Sequence, residues 1–559
     1  KEVVHTTGLC LTDLVRSILP RDRNLFIPLP EFLRARGSSR PIGLAAWIAL
    51  WLCVTGVMGF SYLNARSALI AASSEASRST VLTGRLSNDL LALERLRKTI
   101  HSVEAVNGRW FLPRMGFGDG RAAEEALKAR FVRLYGDKVL HPFDSALAAG
   151  LDAAVADTLG PERLARFSCL VARIGLIREF TAGKDTESLA KFRDTADSIL
   201  VSADPGLSPA VGALFGDFYL EWLRWNASPA EVNRQLADAR AALVRQLGNP
   251  ETLRRTALAW IDPSPDIRMS DFWGEIAENS YDEQVVIPGA FTQDSAKQLE
   301  DFFSIVEESA GDVKDITKDK QEFWTWYRSR TCDEWSAFAL SFHREADGVD
   351  AASDGRRVIS SMATMQNPYF DFLDRMAKEL SGISKSTGQP SWVNLAVELG
   401  RVRELALLAT EPGQPPTLRQ RVANAKNAVL GSAVVKMDPS SAAKERARKN
   451  AARLWNEYVG MLEQLAPAVS GPETCFKSIS DYTSNVSRQT SPFTVAANQV
   501  GRLQATLKVD DAPFIWDLVI GPQRFLVSYA ALKAAGVLEA KWEEEVLGGI
   551  RGLDGDASA

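Results

Sequence analysis

Twenty-five residues from Pro41 to Ala65, PIGLAAWIALWLCVTGVMGFSYLNA, carry no charge, and Arg40 and Arg66 close the stretch at either end. A bilayer's hydrocarbon core is about 30 Å thick and takes about 20 apolar residues of α-helix to cross. Residues 42–63 meet that length. A buried core helix seldom runs so far without one charged side chain. A secretory leader would have a shorter apolar core and a small-residue cleavage site. Here some forty residues come first, including the irregular LPRDRNLFIPLPEF. The stretch therefore predicts one transmembrane helix over 42–63. Trp47, Trp51 and Tyr62 are amphipathic aromatics of the kind found in membrane spans, and Tyr62 sits at an end.

The flanks predict its direction. Residues 1–41 hold seven basic side chains (Lys1, Arg16, Arg21, Arg23, Arg34, Arg36, Arg40) and four acidic ones (Glu2, Asp13, Asp22, Glu31), a net +3. The fifteen residues after the span hold only Arg66 and Arg78 as bases. Positive charge stays on the cytoplasmic side, so the tail is expected inside and the bulk of the chain outside. The next most apolar region, FIWDLVIGPQRFLVSYAALKAAGVL, carries Asp517, Arg524 and Lys533. No second span is predicted.

The net charge of −5 leaves −8 for the part beyond residue 41, which argues against a nucleic-acid partner, since that would call for a basic face. Of five cysteines, Cys10 lies in the tail, Cys53 in the span, and Cys169, Cys332 and Cys475 outside. Their wide spacing allows at most one disulfide and is equally consistent with free buried thiols. Lys1 at the start and GLDGDASA at the end read as the limits of a piece of a longer protein.

Beyond the span the chain predicts a mainly α fold, an elongated multi-domain helical region. Leu82, Leu86, Leu90, Leu93, Leu96 and Ile100 recur at three- and four-residue spacing, one face of a helix. They predict that the membrane helix continues outward to about Val106. VNRQLADARAALVRQL and AAKERARKNAARLWNEYVGMLEQL are rich in strong helix formers. The best strand candidates are DEQVVIPGAF and LQATLKV, both short. Pro/Gly clusters mark the breaks: IDPSPD at 261–266, STGQPS at 386–391 and EPGQPP at 411–416, with loops at DPSS from 438 and SGP from 470. The expected divisions are a tail at 1–41, the span at 42–63, and helical domains at 64–262, 263–410 and 411–559.

Chemistry is sparse. The histidines are His5, His101, His141 and His343, and none stands at metal spacing with Cys or another His. No phosphate-cradling loop, nucleophile elbow or dinucleotide fingerprint is present. Glu543, Glu544 and Glu545 read as a charged helix face, and Asp510 and Asp511 as a turn. Neither makes the carboxylate pair of a glycosidase. EFWTWYRSRTCDEWSAFALSF places Trp324, Tyr327, Trp335, Phe338 and Phe342 near one helical face, and ALFGDFYLEWLRWN does so for Phe215, Phe218, Trp222 and Trp225. Sugar or lipid contact is one use of such rings, but core packing between helices is the expected one. No enzyme activity, metal or cofactor is predicted.

Several motifs occur in a telling order: the basic tail with LPRDRNL, the span ending in SYLNAR, GRWFLPRMGFGDG, DFWG, VVIPGAFTQDSAKQLEDFF, and GPQRFLVSYAALKAAGVLEAKWEEEVL. In this order the chain resembles the IcmF/TssM family, inner-membrane proteins of type VI secretion systems with relatives in the type IVB apparatus. The likeness is clearest at about 15–130, 270–305 and 515–547. It implies that residues 1–41 end a cytoplasmic region and that the span is the family's last membrane helix. IPGAFT, Ile287–Thr292, would be a recurrent turn of the periplasmic region, and GPQRF…KWEEEVL the helices before a C-terminal β-domain. The family's two earlier spans and its NTPase-like domain are not in this sequence, and neither is the β-domain that contacts the TssJ lipoprotein. The resemblance implies a structural scaffold of the bacterial inner membrane. Its partners would be other copies of itself, membrane lipid, a DotU/TssL-like inner-membrane protein, and a TssJ-like outer-membrane lipoprotein reached through a C-terminal region outside this chain. The alternatives are a membrane-anchored periplasmic receptor or a cell-wall hydrolase.

Within the span, Ala45, Ala49, Cys53, Gly56 and Gly59 fall within one third of the helix circumference at 100° per residue, with Leu52 the one large intruder between Ala45 and Gly59. Small residues let helix backbones approach closely in lipid. This stripe is the expected helix-packing face.

Overall fold

The computed structural model describes residues 16, 30–77, 85–108, 119–153, 161–184, 186–203, 209–226, 228–274, 285–311, 314–346, 355–364, 367–409, 439–484, 487–508 and 512–547. His5, Cys10, Leu82, the side chain of His343, Asp510, Asp511 and the Pro/Gly cluster at 411–416 lie outside them. The described residues are 88% helix with no strand, as the sequence predicts. The chain divides into two compact units, Lys1–Gly150 with Ser168–Ala237, and Leu151–Phe167 with Asp238–Ala559.

The helices in chain order are α1 (Pro30–Ser77), α2 (Leu86–Gly108), α3 (Asp119–Tyr135), α4 (His141–Ala153), α5 (Pro161–Thr181), α6 (Ser188–Ala203), α7 (Pro209–Trp225), α8 (Pro229–Leu247), α9 (Pro250–Trp260), α10 (Ser270–Trp273), α11 (Gln293–Ala310), α12 (Lys314–Ala346), α13 (Gly355–Met362), α14 (Pro368–Leu380), α15 (Ser391–Ala409), α16 (Pro439–Ala468), α17 (Pro472–Thr483), α18 (Pro492–Leu507) and α19 (Pro513–Lys541). Ten of them open on proline, whose fixed φ and missing N–H suit the first helical position. The predicted SGP loop thus ends where a helix begins, at Pro472, whereas Pro439, Ser440 and Ser441 of the predicted DPSS loop form the first turn of α16 and Asp438 lies outside the described residues.

In the first unit, one helix among the described residues is long and apolar enough to cross a membrane, Pro41–Ser74 within α1. Every residue from 41 to 60 is exposed. Twenty residues at 1.5 Å each make about 30 Å, the thickness of the hydrocarbon core. Burial starts at Ser61 and recurs at Ala65 and Ala72, small residues on one face where α1 meets α2 and α3. The helix starts at Pro30, so the segment before the span is helical from there on.

Two sequence expectations are corrected here. The leucine face from Leu90 to Ile100 does not extend the membrane helix. α1 is described to Ser77, and α2, from Leu86, is a separate helix packed on the C-terminal part of α1 and on α3. A single extended helix would leave Leu90, Leu93, Leu96 and Ile100 in water, whereas α2 buries all four. LQATLKV is not a strand: through Leu507 it is the end of α18, with Val500 and Leu503 buried at helical spacing. DEQVVIPGAF contributes one isolated antiparallel bridge, Ile267 to Ile287, and the turn after it.

Beyond that pairing of helices, α7 packs on α2, α3 and α6. In the second unit one continuous apolar cluster runs from Ile267 through Trp335, Phe372 and Trp455 to Ala530. It draws on α12, α14, α15, α16, α18 and α19, so helices on both sides of the expected boundary near residue 410 share one core. Tyr369 of α14 lies on Gly521 of α19 so closely that a Cβ there would sit 2.3 Å from its ring.

Candidate functional site

Ala45, Ala49, Cys53, Gly56 and Gly59 all lie in the exposed part of α1. A Cβ added at Gly56 or Gly59 would meet no atom within 4 Å. No described part of the chain covers the stripe. It is an exposed helical surface with Leu52 set into it, next to Val54, Val57 and Met58, which are also exposed.

The two aromatic stretches are core, as the sequence predicts. α12 buries Phe323, Tyr327, Trp335, Phe338 and Phe342. Phe342 stacks on Phe372 at 4.7 Å. α7 buries Phe215, Phe218 and Trp222, while Trp225 is half-buried with its edge against Phe131. Trp324 differs from its neighbours: it is only partly buried and lines a cleft.

That cleft is built on the IPGAFT turn. Ile267 and Ile287 exchange both backbone hydrogen bonds at 2.9 and 3.0 Å. The amide of Gly289 donates to Asp266 Oδ1 at 2.9 Å. The Gly289 carbonyl accepts from Thr292 Oγ1 at 2.8 Å and from Ser295 Oγ at 2.7 Å. Tyr327 donates its hydroxyl to the Ala290 carbonyl at 2.8 Å, and Trp335 Nε1 donates to the Phe291 carbonyl at 3.2 Å. Thr292 then caps α11, and Glu379, largely buried, accepts from the Gln293 amide at 2.6 Å. Most of the turn's backbone groups thus find a partner, as buried polar groups do. Burial raises the pKa of the Tyr327 hydroxyl and keeps it a neutral donor. The turn forms one wall of a cleft of about 720 Å³ between α11, α12 and the end of α14.

Two buried guanidiniums lock helices together. Arg173 on α5 donates from Nε to the Tyr219 hydroxyl at 3.0 Å, to both oxygens of Asp144, and to Gln235. Burial alone would lower its basicity, but Tyr219 and Asp144 outweigh that and hold it charged. Arg403 on α15 makes a bidentate pair with Asp374 at 2.8 and 2.8 Å and lies over the rings of Phe370 and Trp455. Nothing in the sequence marks these two arginines, because their burial depends on residues 29 or more positions away.

The other candidates fall apart in space. His101 meets Glu104 at 2.8 Å and Glu221 at 3.3 Å beside Lys128, an ion cluster between α2, α3 and α7. His141 is exposed at the start of α4. Glu543, Glu544 and Glu545 are exposed on the segment after α19. No group of His, Cys, Asp and Glu able to hold a metal occurs among the described residues. Cys169, Cys332 and Cys475 are buried free thiols. Burial pushes Cys169 up to about 12 and Cys332 up to about 11, far from the thiolate range that makes a nucleophile.

Comparison with family models, with curated proteins and with solved structures finds no match to this chain.

Proposed function

We propose that this chain is the membrane-anchored part of a scaffold in a bacterial trans-envelope secretion complex, of the kind the IcmF/TssM resemblance implies. The observation that supports it most is α1. It runs unbroken from the basic tail through twenty exposed apolar residues into a packed helical unit. A span joined to its outer domain by continuous helix transmits position and force, which a flexible linker would not. In this reading the tail is cytoplasmic and meets a DotU/TssL-like protein. The regions at 64–262, 263–410 and 411–559 stand in the periplasm, and a region outside this chain reaches the TssJ-like lipoprotein.

The test is recovery of the assembly. The tagged full-length protein, solubilised from membranes of the source cell, is expected to bring down further copies of itself and a DotU/TssL-like protein. Recovery alone, in repeated preparations that retain other membrane complexes, would contradict the reading.

A further inference from the structure

We propose that the cleft between α11, α12 and the end of α14 binds a neutral oligosaccharide, with one pyranose ring lying on Trp324. The assignment needs no part of the secretion reading. At about 720 Å³ the cleft has the size of an ordinary ligand site.

The chemistry of its walls selects the ligand. Trp324 is held in place by ring contacts with Phe303, Phe323 and Tyr327 at 6.0, 5.7 and 5.5 Å, yet it stays partly exposed in the cleft. A fixed indole offers an apolar face at low entropic cost. Around it stand polar side chains that the described residues leave unused. The side-chain amides of Gln293 and Gln321 and the carboxylate of Glu300 make no hydrogen bond or ion pair there. Arg328 gives only its Nε, to the Trp324 carbonyl at 2.9 Å. The set mixes pure acceptor, pure donor and amides that are both. A hydroxyl is donor and acceptor at once, so a polyol satisfies all of them, and the C–H face of a sugar ring covers the indole.

Other ligands fit less well. A polyanion would meet the carboxylates of Glu300, Glu307 and Glu379, and Lys320 is already paired with Glu307 at 2.7 Å. The start of α11 is filled by Thr292 and Glu379. An extended peptide needs a free backbone edge to pair with, and the two long walls of this cleft are helices whose backbone bonds are internal. A wholly apolar ligand would strand the amides and the carboxylate away from water.

The experiment titrates the full chain, in a detergent without a sugar headgroup, with N-acetylglucosamine tetramer, with maltotetraose and with tetra-alanine. Binding is followed by saturation-transfer NMR and calorimetry. The expected result is saturable binding of at least one oligosaccharide with a Kd between about 10 μM and about 1 mM, the range of a single small site. Gln321 is exposed, so Gln321→Ala should unfold at the wild-type temperature yet bind about tenfold more weakly, and Trp324→Ala should not bind. No saturable signal from either sugar up to about 10 mM, an order above the weakest expected Kd, would overturn the assignment. So would equal affinity in the wild type and Gln321→Ala, or binding of tetra-alanine alone.

Discussion

A Cβ on Gly289 would lie 1.6 Å from the carbonyl oxygen of Ser264. The IPGAFT turn and the IDPSPD segment are therefore pressed backbone to backbone, and no side chain fits between them. Gly289→Ala should destabilise the second unit by at least about 2 kcal/mol, since a side chain forced into a packed contact shifts backbone as well as neighbours. Gly536 on α19 is the control. It is exposed and has nothing within 4 Å of an added Cβ, so Gly536→Ala should be neutral or stabilising by up to about 1 kcal/mol. Thermal unfolding of the two variants checks the contrast. A Gly289→Ala protein as stable as wild type would mean that the two segments are not in contact.

Arg173 supplies the second prediction. Asp144→Ala leaves a buried guanidinium short of its carboxylate, and breaking one partner of a buried pair costs about 3–5 kcal/mol. The double variant Arg173→Met with Asp144→Ala removes the charge too and should recover part of that loss. Arg173→Lys should also destabilise the unit, because a compact ammonium lacks the planar fork that reaches Tyr219, Asp144 and Gln235 from separate nitrogens. Denaturant midpoints would decide it: a double variant no more stable than Asp144→Ala contradicts this view of the network.

Acid sensitivity follows from Glu398. Burial works against its ionisation, but Arg448, bonded at 2.5 and 2.8 Å, and Arg401 outweigh burial and hold the carboxyl below its ordinary range. A depressed folded-state value means that the carboxylate stabilises the fold above its unfolded value of about 4.3 and loses that contribution as pH falls through the folded value. Glu94 and Glu104 shift in the same direction against Arg97 and Lys128. The unfolding temperature should therefore drop as pH is lowered from about 5 towards 3. Glu398→Gln should start lower at neutral pH and fall less steeply. Parallel curves for the two proteins would show that the Arg448 pair adds nothing.

The sequence carries the helical class and the apolar span on its surface, because both depend on local periodicity and length. The buried faces of α12 and α7 were equally legible, since rings at three- and four-residue spacing must point one way. The α1–α2 pairing was not. Leu82 to Ile100 continues the period of a helix, and only the need to bury Leu93 and Leu96 turns α2 back against α1. LQATLKV has strand-like residues, yet its packing inside α18 overrides that weak preference. The IPGAFT turn was legible only through the family resemblance, since its residues taken alone read as the end of the strand candidate DEQVVIPGAF. Glu379, which completes it, comes from 86 residues further on, a distance no local pattern spans. The cleft beside Trp324 was hidden for the same reason: one ring of an otherwise buried face stays open, and only tertiary structure says which.

The small-residue stripe of the span gives a membrane-level test. Each interhelical contact of this kind is worth on the order of 1 kcal/mol, so one substitution is too mild. Ala49→Ile with Gly56→Ile should lower the yield of crosslinked oligomer, while Val54→Ile with Val57→Ile, off the stripe, should leave it unchanged. Equal yields would make the stripe a lipid-facing surface with no packing role.

The proposed scaffold role depends on α1 crossing the bilayer with its basic end inside. Cys10 and Cys53 are first replaced by serine. The remaining thiols are buried, and Cys169 and Cys332 are held protonated. A single reporter is then placed at Glu31→Cys or at Arg121→Cys, and intact spheroplasts are treated with a membrane-impermeant thiol reagent. The account predicts labelling at 121 and none at 31 until the membrane is opened. Labelling at 31 but not at 121 would reverse the direction, and labelling at both would mean that residues 41–60 do not span the membrane.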